Sequence, residues 1–502
     1  MTEISGPTLA NWAAATPGRV ACIFPTLGQT TTFQALDRRA TQAAQWLLGL
    51  GLPEGAVVAL LLDNCPALFE MAFAAERAGL YYVPLSTHLR RPEIGYILSD
   101  CGAQVVVTTV DLVASLPGGL SIPVVVAGED YDRILAAQPL DPVPARPIGR
   151  PILYSSGTTG RPKGIKRPLH PAEARNQRLP ISAAVARLNA DAATVYLSAG
   201  PLYHAAPHYF SLHVIQHGGT VVAPARFDAA ETLALIQRHR ITHGQWVPTM
   251  FIRMLALPGA VRSRHDLGSL QRAVHAAAPC PIPVKEQMIA WWGPILFEYY
   301  SGSESIGSTG IESADWLAHK GSVGRAISGT IHITDETGGE LAQGEVGTIW
   351  FGGLPSFEYL NSPEKTTAAM DGRGWSTYGD IGHVDANGYL YLSDRRADLI
   401  LSGGVNVYPQ EVETVLARHP AVADAAVVGV PDADLGERVQ AVVVLHADQD
   451  ASPAALIAFC REHLSSVKCP KAVEMVERLP RSEIGKLLRR VLKEQYRAAG
   501  GG

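Results

Sequence analysis

The chain has 502 residues, which is more than one hydrophobic core usually serves, so we expect two or more domains. Hydrophobic residues make up 47% and charged residues 18% of the sequence, which is typical of a soluble globular protein. The formal net charge of −5 argues against nucleic acid or an anionic membrane surface as the main partner.

The six cysteines lie far apart and include no CxxC pair, so we expect reduced thiols and neither disulfides nor a zinc site. The first residues, MTEISGPTLA, lack the basic start and apolar core of a signal peptide. No apolar run approaches membrane-spanning length. We therefore expect a cytoplasmic monomer or homodimer without integral membrane contact.

The first part of the chain alternates helical and extended patterns. Apolar residues at helical spacing predict helices over 32–50 and 69–79. Short apolar runs predict strands over 57–64, 81–85 and 103–109. This alternation predicts a doubly wound α/β layer.

A second α/β layer follows a Pro-rich connector. Strands that run into loops are predicted over 194–207, 242–251, 272–281 and 295–307, and Asp228 is a suitable N-cap for a helix between them.

The pattern changes twice more towards the C-terminus. From Thr330, short alternating strands predict a small β-barrel. After Arg395, two helical segments and two apolar strands predict a small, separate α+β domain.

One loop carries the strongest chemical signal, the run SSGTTGRPKG at 155–164, which follows an apolar strand. Its glycines let main-chain N–H groups face an anion, its hydroxyls add donors, and Lys163 adds a mobile positive charge. A flexible linker would not place Arg and Lys at fixed offsets after a strand. The phosphate loop of kinases and GTPases is excluded because no Gly-Lys-Ser/Thr occurs here. The run predicts a polyphosphate-binding loop.

This run resembles the phosphate loop of the adenylate-forming superfamily, which includes acyl-CoA synthetases, amino-acid adenylation domains and firefly luciferase. The resemblance covers nearly the whole chain. It implies an α/β protein with a large N-terminal domain (1–394) of two doubly wound layers plus the small barrel. A hinge (395–398) and a small mobile C-terminal domain (399–497) would follow.

The resemblance also implies an ATP site built from several motifs. YYSGSE is similar to the family's Tyr-Gly-Ser/Thr-Thr-Glu motif, with Ser301 in place of the usual glycine, and AAAP is similar to the family's adenine wall. GWSTYGDIG is similar to the motif that carries the ribose-binding Asp. SDRRAD is similar to the motif that carries the Arg at the domain junction, and Arg396 is a neighbouring competitor for that role. The implied nucleotide-binding residues are Ser155, Ser156, Gly157, Thr158, Thr159, Gly160, Lys163, Ala277, Ala278, Pro279, Tyr300, Ser301, Gly302, Ser303, Asp380 and Arg395.

Four residues are implied to act in catalysis. Glu304 would bind Mg²⁺, a hard cation that prefers carboxylate and phosphate oxygens, and Thr158 would act in the phosphate loop. Lys486 in LPRSEIGKLLRR matches the lysine that bridges the attacking carboxylate and the α-phosphate. His204 in GPLYHAAP matches a position that gates the thiol channel, although a lone His near apolar residues is often structural.

The small domain is implied to serve both half-reactions by rotating. Ser402, Gly403 and Gly404 resemble the loop that lines the CoA tunnel after the domain turns. Ala397 stands where many relatives have a charged hinge residue, and Asp398 is its neighbour, so the identity of the hinge residue stays open.

These features predict an ATP-dependent acid–CoA ligase that uses ATP, Mg²⁺ and coenzyme A. The segment 196–212 has no Asp or Glu to pair with an amino acid's ammonium group, so we expect a bulky, mostly apolar acid that is alicyclic, steroid- or terpenoid-like, or fatty. The predicted acid pocket comprises His204, His208, Tyr209, Trp246, Gly302 and Gly307. A carrier-protein-loading enzyme, an aryl-acid ligase and a luciferase-like oxygenase remain the alternatives.

Overall fold

The computed structural model describes residues 8–155, 162–176, 182–355, 357–395, 398–402, 405–432, 435–482, 485 and 487–499. The chain forms a mixed α/β structure with a large N-terminal domain of sheets and helices and a smaller C-terminal domain. No helix among these residues is both long and apolar enough to cross a membrane.

The elements of the first third are as follows. The helices are α1 (Leu9–Ala15), α2 (Phe33–Gly49), α3 (Pro66–Ala78), α4 (Arg91–Cys101) and α5 (Glu129–Ala136). The strands are β1 (Val20–Phe24), β2 (Gln29–Thr32), β3 (Val57–Leu61), β4 (Tyr81–Pro84), β5 (Ala103–Thr109), β6 (Val124–Ala127), β7 (Arg150–Pro151), β8 (Leu153–Ser155) and β9 (Lys163–Lys166).

The middle third continues the alternation. Its helices are α6 (Ala183–Ala186), α7 (Ala205–Gln216), α8 (Ala229–His239), α9 (Pro248–Leu255), α10 (Gly259–Arg262), α11 (Ile282–Trp292) and α12 (Ser313–Ala318). Its strands are β10 (Val195–Ser198), β11 (Thr220–Val222), β12 (His243–Trp246), β13 (Arg272–His275), β14 (Leu296–Ser301), β15 (Ser308–Glu312), β16 (Arg325–Ser328) and β17 (Thr330–Thr334).

The last third is richer in β-structure. Its helices are α13 (Pro363–Ala368), α14 (Pro409–Leu416), α15 (Pro453–His463) and α16 (Arg489–Ala499). Its strands are β18 (Gly347–Gly352), β19 (Glu358–Tyr359), β20 (Asp380–Val384), β21 (Leu390–Arg395), β22 (Ile400–Ser402), β23 (Val405–Val407), β24 (Val422–Asp432), β25 (Gly436–Leu445) and β26 (Ala472–Met475).

The first layer is a five-stranded parallel sheet with the order β6-β5-β3-β4-β7. Every residue of β3 is buried, as expected for a central parallel strand covered on both faces. Helix α2 begins after Thr32, whose side chain accepts a hydrogen bond from the Ala35 N–H. The helix predicted over 32–50 is therefore confirmed within one residue at each end.

The second layer is a nine-stranded sheet with the order β16-β15-β14-β13-β12-β10-β11-β1-β2. Its six central strands, β14 to β1 in that order, run parallel, and antiparallel pairs occur only at the two edges. Asp228 caps α8 as predicted, since its side chain accepts from the Glu231 N–H. The parallel strands end at one edge, and their following loops therefore meet there.

Two small antiparallel sheets pack beside that edge. One has the order β17-β18-β20-β21 and the other the order β19-β9-β8. Ile165 of β9 shares a core with Ile333, Ile349 and Phe351 of the four-stranded sheet. Where the sequence predicted a small β-barrel from Thr330, the described residues form these two antiparallel sheets, which also include the strands that flank the predicted phosphate loop.

The C-terminal domain has its own sheet, β23-β22-β25-β24, with β26 paired parallel to β25. Apolar residues of β24 and β25, among them Val427 and Val443, pack with Leu416 of α14 and Leu456 of α15 in a separate core. The boundaries of the predicted hinge stay a prediction, because residues 396 and 397 lie outside the described part of the chain.

Candidate active site

The carboxyl ends of the central parallel strands bring the predicted site together. The loop after β10 carries His204, the loop after β13 carries Ala277 to Pro279, and β14 ends at Ser301 just before Glu304. All of these residues line one cleft of about 2530 Å³ that also reaches the C-terminal domain. Ligands of open α/β sheets bind at this edge.

The predicted ribose site contains a close pair. The Tyr300 hydroxyl donates a hydrogen bond of 2.6 Å to Asp380 Oδ2, and Asp380 is only 6% exposed. Arg395 pairs with Asp380 across the β20–β21 ladder, although its side chain lies outside what the structure describes. One Asp380 oxygen is thus fixed by Tyr300, and the carboxylate borders the cleft.

Glu304 lies in a turn that two distant residues contact. The Tyr359 hydroxyl donates a hydrogen bond of 2.7 Å to Glu304 Oε1. Arg167 donates to the main-chain carbonyl of Glu304, and also to that of Ser305 at 3.2 Å. Neither contact was predicted, because the partners are far apart in sequence and belong to no motif that marks them.

Lys163 lies close to the same group. Its Nζ is 4.9 Å from the centroid of the Tyr359 ring, a cation–π distance. Burial lowers the pKa of Lys163, the cation of Lys365 lowers it further, and the carboxylate of Glu304 acts in the opposite direction. The predicted phosphate-binding lysine and the predicted magnesium-binding glutamate therefore face a common region.

The predicted phosphate loop itself is bracketed by described strands. Strands β8 and β9 are antiparallel, and Ser155 is opposite Lys163 in their ladder. The loop between them therefore starts and ends on this hairpin. Ser156, Gly157, Thr158, Thr159 and Gly160 lie outside the described residues, as does Arg161.

The turn at the end of β14 has little free space. A β-carbon at Gly302 would overlap the Tyr378 ring and would lie within contact of Glu304 Oε2, so glycine is required there. The Ser301 hydroxyl donates to the Gly307 carbonyl at 3.0 Å, so this side chain is engaged within its own turn. Ser303 lines the cleft.

The predicted adenine wall follows β13 directly. Ala277, Ala278 and Pro279 line the cleft, and so does Tyr300. Ala277 has φ +76°, a left-handed conformation that an alanine adopts only when its surroundings hold it. The side chains of this wall are small, as the predicted adenine-binding role requires.

Only some of the residues predicted to form the acid pocket line the cleft. His204, Tyr209 and Gly302 line the cleft, and Val247 and Met250 line it beside them. Apolar and aromatic side chains of this kind are typical of the wall of a small-molecule pocket.

Three residues predicted for that pocket lie elsewhere. Trp246 is fully buried and packs edge-on against Trp292, because it points to the opposite face of β12 from Gln245. His208 is also fully buried, and its Nε2 lies 2.7 Å from the Tyr82 hydroxyl. At Gly307 the Phe351 ring packs where a side chain would stand, so this glycine makes core packing possible and does not line the pocket.

The C-terminal domain closes one side of the cleft. Gly485 is buried with φ +71°, and a β-carbon there would overlap the Thr249 hydroxyl. Arg481 donates to the Gly485 carbonyl at 2.8 Å and forms an ion pair with Asp424. Lys486 itself lies outside the described residues, but the residue before it lies against the N-terminal domain beside the cleft.

The predicted CoA residues are not part of this cleft as far as the structure describes them. Ser402 is fully buried in the sheet of the C-terminal domain and does not line the cleft. Gly403 and Gly404 lie outside the described residues, as does Ala397 of the predicted hinge.

The carboxylate at the cleft is compatible with a cation whose other ligands are phosphate oxygens. Among the described residues there is no group of three or more His, Cys, Asp or Glu that could hold a metal ion alone. Glu304 offers one carboxylate at the cleft. Mg²⁺ is usually bound by one or two carboxylates together with substrate phosphates, so a single glutamate is compatible with MgATP.

Comparison with known proteins agrees with this geometry. The model for AMP-binding enzymes matches residues 9–357, and the model for the C-terminal domain of AMP-binding enzymes matches residues 411–486. The chain is 32% identical over 511 residues to the long-chain-fatty-acid–CoA ligase FadD13 of Mycobacterium tuberculosis, with 98% of each chain covered.

Two further proteins are similar over nearly their full lengths. One is the 3-[(3aS,4S,7aS)-7a-methyl-1,5-dioxo-octahydro-1H-inden-4-yl]propanoyl:CoA ligase of M. tuberculosis, which is 34% identical with 92% of this chain and 95% of that protein covered. The other is the ATP-bound structure of MatB from Rhodopseudomonas palustris, with a TM-score of 0.84, 28% identity and coverage of 98% and 99%. The chain belongs to the AMP-binding enzyme family, the adenylate-forming superfamily, and within it to the acyl-CoA synthetase branch of AMP-forming acid–CoA ligases.

Proposed function

We propose that this protein activates a bulky, mostly apolar carboxylic acid as its acyl-adenylate and transfers the acyl group to coenzyme A. The observation that carries the proposal is the cleft that Glu304, Asp380 and His204 share with an uncharged wall. The acid is alicyclic, steroid- or terpenoid-like, or fatty.

The nucleotide would extend along the cleft from the β8–β9 hairpin to β20. The loop between Ser155 and Lys163 would hold the phosphates, and the flat adenine ring would lie between the Ala277 wall and Tyr300. Asp380, with one oxygen fixed by Tyr300, would accept hydrogen bonds from the ribose hydroxyls.

Glu304 would hold Mg²⁺ together with the phosphate oxygens, and the cation would supply neutralisation of their negative charge. Tyr359 occupies Oε1 of Glu304, so the carboxylate is oriented before ATP arrives. This arrangement matters because the attacking carboxylate and the triphosphate are both anionic.

In the first half-reaction an oxygen of the acid attacks the α-phosphorus, and the bond from that phosphorus to pyrophosphate breaks. Lys486 would approach both anions as a compact positive charge, carried there by the docked C-terminal domain. In the second half-reaction the CoA thiol loses its proton, its sulfur attacks the acyl carbon, and AMP leaves. His204 would stand where the thiol enters.

The wall of the acid pocket supports the choice of acid. Val185, Ala205, Tyr209, Val247 and Met250 line this part of the cleft, and none of them carries a charge. Among the relatives, one is named for long-chain fatty acids and one for a propanoyl group on an octahydroindene ring, while others of similar identity are named for feruloyl and 2-succinylbenzoate groups.

The test is pyrophosphate release from ATP with a panel of long-chain, fused-ring and benzoate-sized acids, each with and without CoA. We expect release with the first two classes, and CoA-dependent turnover to acyl-CoA.

Activity confined to benzoate-sized acids would contradict the acid class and favour an aryl-acid ligase. Turnover that needs a holo carrier protein and ignores CoA would contradict the acceptor. Oxygen consumption after adenylation would indicate an oxygenase. The Glu304→Gln variant serves as the inactive control.

A further inference from the structure

The turn that carries Glu304 is held by one residue of a small sheet and by the residue that follows one of its strands. Tyr359 lies in β19 and donates to Glu304 Oε1 at 2.7 Å. Arg167 directly follows β9 and donates to the carbonyls of Glu304 and Ser305. The contacts join residues 55 and 137 positions apart, so local structure does not impose them.

The backbone of this turn needs such support. Ser305 has φ +47°, in the left-handed region that costs a residue with a β-carbon about 1 kcal/mol or more. Its N–H donates to the Gly302 carbonyl at 3.0 Å, which closes the turn on one side. Arg167 binds the carbonyls on the other side. The guanidinium therefore fixes the direction in which Glu304 leaves the backbone.

The same sheet carries the phosphate loop. Ser155 pairs with Lys163 across β8 and β9, and Ile165 of β9 pairs with Tyr359 of β19. The face of the Tyr359 ring lies 4.9 Å from Lys163 Nζ, while its hydroxyl contacts Glu304. One tyrosine therefore links the cation of the phosphate loop to the carboxylate opposite it.

A tyrosine–carboxylate hydrogen bond can also serve packing alone, and the C-terminal domain contains an example. Tyr496 of α16 donates to Glu474 Oε2 of β26. Glu304 lines the cleft, and neither Tyr496 nor Glu474 does. The two bonds are chemically alike and differ in what their carboxylates face, which makes Tyr496 a matched control.

We propose that Tyr359 and Arg167 are positioning residues that fix the Glu304 carboxylate for the divalent cation of MgATP. The proposal rests on the proposed function, in which Glu304 binds that cation. Tyr359 holds Oε1 and leaves Oε2 for the cation, and Arg167 holds the main chain beneath. Carboxylates that bind metal ions are commonly oriented by such hydrogen bonds from neighbouring groups.

The experiment measures ATP binding by calorimetry on the full-length protein at a series of Mg²⁺ concentrations, and in EDTA. Tyr359→Phe keeps the ring over Lys163 and removes only the hydroxyl, and Arg167→Gln removes the guanidinium. We expect the Mg²⁺ concentration at half-maximal effect to rise about tenfold in both variants. ATP affinity in EDTA should stay unchanged, and Tyr496→Phe should keep the wild-type Mg²⁺ dependence.

Two results would overturn the positioning role alone, and a third would also overturn the proposed function of Glu304. If Glu304→Gln shifts the Mg²⁺ dependence and Tyr359→Phe does not, the positioning role is wrong and the metal role of Glu304 survives. Equal losses of ATP affinity with and without Mg²⁺ would show that the two residues only maintain the shape of the loop. If Glu304→Gln itself leaves the Mg²⁺ dependence unchanged, the metal role of Glu304 and the inference both fail.

Discussion

Gly485 of the C-terminal domain packs its backbone against the Thr249 side chain at the start of α9. A β-carbon at position 485 would overlap the Thr249 hydroxyl, and φ at this residue is +71°. The contact therefore requires glycine for two independent reasons. It also places the chain immediately before Lys486 at the cleft.

Gly485→Ala is predicted to block this docking and to lower the rate of acyl-adenylate formation by a hundredfold or more, on the order of 3 kcal/mol. Thioester formation from a supplied acyl-adenylate should be largely kept, since the proposed rotation would place the domain in another pose for that step. The two half-reactions are measured separately by pyrophosphate release and by acyl-CoA formation.

The control for backbone strain is Gly344→Ala. Gly344 has φ +92° and nothing within 4 Å of the added carbon, so this variant introduces strain without overlap. Its adenylation rate should match wild type. If Gly485→Ala behaves like Gly344→Ala, docking through Thr249 is not needed for adenylation.

Lys486→Ala is predicted to abolish acyl-adenylate formation and to spare the thioester step. A positive charge between the acid and the α-phosphate is required only while the two anions approach each other. Rapid-quench measurement of both half-reactions tests this. Equal loss of both rates would mean that Lys486 has another role.

A site residue could be predicted from the sequence when it lies in a short motif, and could not when its role depends on contacts with residues distant in sequence. Glu304 follows β14 and Asp380 begins β20, and each lies in a motif of the resembled family, so the resemblance predicted that both belong to one nucleotide site. Trp246 could not be placed, because one residue along a strand changes the face on which a side chain lies. Tyr359 and Arg167 reach Glu304 through tertiary contacts that leave no pattern in the sequence.

In the fold, too, features formed by neighbouring residues were predictable and long-range pairings were not. The N-caps of α2 and α8 were visible in the sequence because capping is a contact between neighbours. The sheet β19-β9-β8 joins Tyr359 to a strand nearly two hundred residues earlier, so periodicity alone does not reveal it. Short strands of two or three residues also carry too few side chains to show alternation.

Asp380→Asn is predicted to raise the KM for ATP about tenfold, because a charged acceptor of the ribose hydroxyls becomes neutral. Wild type should prefer ATP to 2′-deoxy-ATP, and the variant should lose most of that preference. Asp385→Asn is the matched control, since Asp385 caps the turn after β20 by accepting from the Asn387 and Tyr389 N–H groups. A retained preference in Asp380→Asn would contradict the ribose role.

His208 makes stability depend on pH. Burial lowers the pKa of His208 to about 4, and its Nε2 faces the Tyr82 hydroxyl. The unfolded chain binds this proton near pH 6.5 and the folded chain does not, so stability is complete above pH 6.5 and falls as the pH decreases towards 4. Between pH 7 and pH 5 this linkage removes about 2 kcal/mol.

The comparison of wild type with His208→Gln isolates this contribution, because other groups titrate alike in both. We expect the unfolding midpoint in urea to fall more steeply from pH 7 to pH 5 for wild type than for the variant. Parallel pH profiles would show that His208 is not held neutral in the folded protein.

Lys285 and Glu298 form a buried ion pair beside the adenine wall. Their Nζ and Oε2 atoms are 2.5 Å apart, and the two side chains are 0% and 7% exposed. Lys285 Nζ also lies 4.6 Å from the centroid of the Trp316 ring. Burial raises the pKa of Glu298, and the ammonium of Lys285 opposes that rise. His275, whose Nε2 is 3.9 Å from the same carboxylate oxygen, has its pKa lowered by burial and by Lys285, so it stays neutral there.

Lys285→Met is predicted to cost about 3–5 kcal/mol of unfolding free energy, because it leaves the Glu298 carboxylate buried without a cation. Lys285→Met/Glu298→Leu should recover most of that loss, since an apolar pair of similar volume needs no charge compensation. Urea unfolding of both variants and of Glu298→Leu completes a double-mutant cycle. Additive effects would show that the two charges do not depend on each other, whereas a large coupling energy would show that Lys285 compensates the buried carboxylate of Glu298.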